Sequence, residues 1–74
     1  MRKIVEAEIM SEGKTRLKIT LSGGEVVLGY SMGIIPLFDD DGEEIDDVLA
    51  FDGVEPEVFY KLRDNDIEKV EKAP

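Results

Sequence analysis

The chain contains no cysteine, no histidine and no tryptophan. The first two absences exclude thiol chemistry, disulfide staples, zinc sites built from the common ligands, and histidine acid–base catalysis. A cysteine-free chain also suits a reducing cytoplasmic setting. Long apolar runs are missing as well: the longest, Tyr30 to Phe38, is interrupted by Ser31, Gly33 and Pro36 and falls far short of the ~20 residues a membrane helix requires. Met1-Arg2-Lys3 could open a signal peptide, but Glu6 and Glu8 break the apolar core that would have to follow. A soluble, cytoplasmic protein with no membrane partner is the expectation.

Basic residues are absent from the whole middle of the chain. All nine lie at Arg2, Lys3, Lys14, Arg16, Lys18, Lys61, Arg63, Lys69 and Lys72. Between Ile19 and Tyr60 stand eleven carboxylates and no cation, within a total net charge of −9. Such a surface repels phosphate backbones and attracts basic proteins or cations. The bland alternative is that acidic loops keep a small protein soluble.

At 74 residues the chain is a single domain, 1–74, of a size that buries only about 60% of its unfolded surface. One core without disulfide or metal support supplies roughly 3–5 kcal/mol. Self-association is the remaining stabilising device, so a homo-oligomer or a protein partner is expected.

What is present reads as strands and turns. Lys18 to Tyr30 forms two arms about Gly23-Gly24. In the first arm Leu17, Ile19 and Leu21 alternate with Arg16, Lys18 and Thr20, the period of a half-buried strand. In the second, Glu25 to Met32, Gly29 interrupts an alternating run and Gly33 follows it, which points to a bulge, a bend or a close backbone approach. Pro36 confines Ile34–Phe38 to an edge or a bulge, because it has no N–H to donate. Asp39 to Glu44 is a turn, followed by short strands around Ile45–Asp52, Glu57–Leu62 and Ile67–Lys72, with a frayed end at Ala73-Pro74. Residues 3–10 suit a short helix or a strand. Pairing favours a strand: a hairpin at Glu12-Gly13-Lys14 sets Ile9 against Leu17, Ala7 against Ile19 and Glu8 against Lys18. The predicted class is all-β, a small barrel of five to six antiparallel strands.

The spacing of Gly24 and Gly29 after an alternating strand, and the order Leu62-Arg63-Asp64-Asn65-Asp66-Ile67, resemble the two motifs of the Sm-like family, with Asp64 where that family has glycine. The resemblance implies an SH3-like barrel, assembly into rings and RNA contact. On this alternative reading the RNA-binding residues are Arg63 and Asn65, with Arg16 and Lys18 from the basic first hairpin. The region corresponding to the family's RNA loop reads Ile34-Ile35-Pro36-Leu37-Phe38 here, and no asparagine is present in it. A weaker similarity is to PRC-barrel domains, through the acidic Asp-Gly turn and the closing strand.

Candidate chemistry is sparse. Counting Gly42 as the sixth position of a calcium loop places Asp39 and Asp41 correctly but Leu37 first and Val48 twelfth, which loses half the ligands. No metal site and no cofactor is predicted, and weak divalent-cation response is kept only as an alternative. Paired carboxylates in an exposed turn lack the apolar cleft that acid–base catalysis needs, and Ser11, Ser22 and Ser31 have no activating base, so no enzyme is expected. The aromatics Tyr30, Phe38, Phe51, Phe59 and Tyr60 read as core. The leading expectation is a non-catalytic interaction module. It associates with itself through strand edges, or with a basic partner through Asp39, Asp40, Asp41, Glu43, Glu44, Asp46 and Asp47.

Overall fold

A computed structural model describes all residues, 1–74. In chain order it contains α1 (Lys3–Met10), β1 (Leu17–Leu21), β2 (Val26–Phe38), β3 (Glu44–Glu55), β4 (Phe59–Leu62), a single 3-10 turn (Asp64–Asp66) and β5 (Ile67–Lys72). The strands form one antiparallel sheet in the order β4-β3-β2-β1-β5. It curls around a core to which every strand contributes: Leu17 and Ile19, Val27, Leu49 and Phe51, Leu62, and Ile67 and Val70. The small all-β barrel read from the sequence is the fold formed, with five strands.

Residues 3–10 are the correction. They form a helix, not a strand, and Glu12-Gly13-Lys14 belongs to a helix-to-strand loop rather than a hairpin. The reason lies at the other end of the chain. β5 occupies the edge of β1 that a first strand would have needed, pairing Ile19 with Val70 and Lys18 with Glu71. It thereby provides the same apolar and acid–base matches. Left without an edge, the segment folds so that Ile4 and Ala7, one turn apart, are fully buried in the core, with Met10 packed against it. The loop that follows turns sharply through Gly13 and Lys14, both with positive φ (75° and 62°).

The hairpin about Gly23-Gly24 forms as expected, closed by Leu21 N–H to the Glu25 carbonyl at 2.7 Å. Beyond it β2 and β3 run much longer than their predicted lengths. Gly29 is required by close approach: a Cβ there would sit within 3 Å of backbone atoms of Asp52 and Gly53. A bulge between Ser31 and Ile34 then bends β2. β1 accompanies β2 only as far as Gly29, and β4 accompanies β3 only from Leu49 onward. Beyond Ile34, which faces Leu49 at its base, Ile35–Phe38 with Glu44–Val48 form a two-stranded arm, and Pro36 lies in this stretch, where β2 has one neighbour. The arm helps draw the molecule out to 41 × 25 × 23 Å. At the far end Ala73 is not frayed, since its N–H donates to the Arg16 carbonyl at 2.9 Å.

Candidate functional site

Three surfaces carry the residues singled out from the sequence: the tip of the arm, the 3-10 turn, and the two open edges of the sheet.

The acidic segment does not act as one unit. At the tip, Asp39 is structural: its Oδ1 accepts the N–H groups of Asp41 and Glu43, both at 2.9 Å, while its own N–H donates to the Glu43 carbonyl at 2.9 Å. Gly42 supplies the positive φ (81°) that closes this turn. Asp46 and Asp47, at the root of the tip, are met by cations from elsewhere in the chain. The Arg2 guanidinium lies 3.7 Å from Asp46 and 3.5 Å from Asp47, and Arg63 lies 3.8 Å from Asp46. Within this segment Asp40, Asp41, Glu43 and Glu44 stand exposed with neither an ion-pair partner nor a side-chain hydrogen bond, while Asp39, also outside any ion pair, is committed to the turn. No group of three or more carboxylates is arranged to hold a metal ion.

The residues of the RNA reading are not brought together. Arg63 is engaged by Asp46, and Asn65 lies in the 3-10 turn that caps the end of β1 nearest Ser22, where Ser22 N–H bonds the Asp66 carbonyl. Arg16 is at the opposite end of β1, about 20 Å away along the strand, where it pairs with Glu55 at 3.7 Å. Lys18 faces Glu71 across the β1–β5 ladder. No continuous basic track results.

The aromatics also divide. Phe51 is fully buried and Tyr60 packs against the core, but Tyr30, Phe38 and Phe59 are exposed, the last two at 56% each. The expectation that all five form the core is corrected, because β2 and β3 outrun the core and β4 ends the sheet. A shallow groove of about 620 Å³ lies between the loop after α1 and the bulge of β2, lined by Glu8, Ser11, Lys14, Tyr30, Met32 and Asp52. Ser11 Oγ donates to the Glu8 carbonyl at 2.7 Å, and a Glu8 carboxylate oxygen lies 3.5 Å from it.

The open edges were expected only in general terms, and the ladder phase now specifies them. Gly53 N–H bonds the Val58 carbonyl, so by the alternation of an antiparallel ladder Phe59 and Lys61 turn their N–H and C=O groups away from β3. On the opposite edge the Ala73–Arg16 bond likewise turns those of Val70 and Lys72 outward. Each edge therefore offers two donors and two acceptors. β4 adds two exposed apolar side chains at its start, Val58 and Phe59.

Comparison with protein-family models, with curated proteins and with solved structures finds no match for this chain.

Proposed function

We propose that the chain is a non-catalytic barrel module that works by protein association, joining copies of itself edge to edge. The observation that carries this reading is the pair of unsatisfied strand edges, β4 and β5, at opposite ends of one short sheet. An edge of this kind is a template for another strand, and neither is blunted by proline. The two edges differ, so contact between them is head-to-tail and either closes into a ring or extends as a fibre. The small size of the core and the exposed Val58 and Phe59 beside β4 support the same reading. So does the resemblance of the glycine spacing and the Leu62–Ile67 segment to the ring-forming Sm-like family. On this reading the chain is a homo-oligomer, and its lack of cysteine suits a cytoplasmic setting. RNA binding has less support, given the engaged Arg63 and the exposed carboxylates of the tip.

The test is sedimentation at micromolar and at near-millimolar concentration. Wild type is expected well above its monomer mass of 8.3 kDa. Lys61→Pro removes an outward donor while leaving the bonds to β3 in place, and is expected to sediment as a folded monomer, with its fold checked by circular dichroism. A wild type that stays monomeric at both concentrations would sink the proposal.

A further inference from the structure

The arm carries an exposed apolar row that the barrel does not use. Ile34, Pro36 and Phe38 occupy alternate positions of β2, which places them on one face, and each is exposed. Ile45 is exposed beside them at 53%, at the register shift of the facing strand. Such a cluster on a protruding two-stranded element is unusual for a surface that faces only water. Immediately beyond it are the four unpaired carboxylates, Asp40, Asp41, Glu43 and Glu44, held in place by the Asp39 turn.

We propose that this arm is a docking surface for a basic amphipathic segment of another protein. Apolar side chains of the partner would cover Ile34, Phe38 and Ile45, and its lysines or arginines would lie against the tip. Charge selects this occupant over a second copy. Two arms packed in parallel would bring their carboxylate tips together, and like charges juxtaposed in an interface oppose association; packed antiparallel, each tip would meet an arm whose nearby cations, Arg2 and Arg63, are already engaged by Asp46 and Asp47. Charge also selects against an anionic surface such as nucleic acid or an acidic membrane. The surface is separate from the β4 and β5 edges, so the proposal stands whether or not the chain self-associates.

The probe is a fluorescent peptide of alternating leucine and lysine, compared with an all-lysine peptide of equal charge and followed by amide chemical shifts. The leucine–lysine peptide is expected to perturb the amides from Ile34 to Ile45 while leaving the Gly23-Gly24 turn unmoved. It should bind at least tenfold more tightly than the all-lysine peptide. Phe38→Ser with Ile45→Ser should lower its affinity at least tenfold and leave the all-lysine peptide unaffected. Asp40→Asn, Asp41→Asn, Glu43→Gln and Glu44→Gln together should weaken both. Lys61→Pro should change neither, which separates this site from edge pairing. Absence of binding, equal affinity for the two peptides, or shifts spread across the barrel or centred on Phe59–Leu62 would each overturn the proposal. So would an increase in sedimenting mass that depends on Phe38 and Ile45, which would assign the surface to a second copy.

Discussion

The body of the barrel and the arm of the β2–β3 hairpin are made from similar residues, yet they are stabilised in different ways. In the body, Phe51 is fully buried among residues from all five strands and α1. In the arm, Phe38 is more than half exposed, and the ribbon has no third strand on either side. A two-stranded hairpin alone is marginal in water. Here it is continuous with a sheet, and partway along it Arg2 and Arg63 reach Asp46 and Asp47. The contrast shows that the same aromatic side chain is a stabilising element where strands enclose it and an available contact where they run on past the core.

The widest separation is expected from one substitution made in both regions. Phe51→Ala should cost about 3–5 kcal/mol, comparable to the whole stability of a domain this size, and leave the chain largely unfolded by circular dichroism. Phe38→Ala should change the urea midpoint by no more than about 0.5 kcal/mol equivalent. Similar losses at both sites would mean that the arm packs against something in solution. Next in size is Gly29→Ala, at the junction of the two regions, where the new methyl meets the Asp52 and Gly53 backbone. A loss of about 1–3 kcal/mol is expected in the same urea melt, and a neutral result would show that the strands can separate there without cost. The smallest effect belongs to the ion pairs along the arm. Asp46→Asn keeps the Oδ1 that accepts the Asp47 N–H at 2.8 Å and removes only the charge. It should lower stability by less than about 1 kcal/mol, an effect that shrinks as salt is raised. An effect that persists in high salt would point to a contribution other than ion pairing.

Much of the body was legible in the sequence because its strands are local patterns. Leu17, Ile19 and Leu21 alternate, Gly23-Gly24 turns, and Gly29 marks the close approach it turned out to make. Residues 3–10 were not legible, because Ile4, Val5, Ile9 and Met10 satisfy either period. The deciding fact was competition for the β1 edge from residues Ile67–Lys72, which no local window contains. The acidic stretch was visible as charge, but its division into a structural Asp39, a neutralised Asp46 and Asp47, and a free remainder depends on Arg2 and Arg63 arriving from opposite ends of the chain. The exposure of Phe38 and Phe59 was hidden for a related reason. Apolar composition says that a residue can be buried, and only the lengths of neighbouring strands say whether anything is there to bury it.

Asp64, where the resembled motif has glycine, places its Oδ1 3.1 Å from the backbone N of Ile4, sixty residues earlier. Arg2, at the N-cap position of α1, makes no side-chain capping bond, so a donor of the helix's first turn is satisfied by the turn that precedes the last strand. The consequence concerns order of assembly. The helix is synthesised some sixty residues before the group that caps it: neither this cap nor the β5 residues against which the helix packs exist until Ile67–Lys72 has been made. Until then residues 3–10 have the open edge of β1 beside them and a sequence that can pair with it. The closing strand therefore does more than finish the sheet, since by holding the edge of β1 it leaves residues 3–10 no strand to pair with.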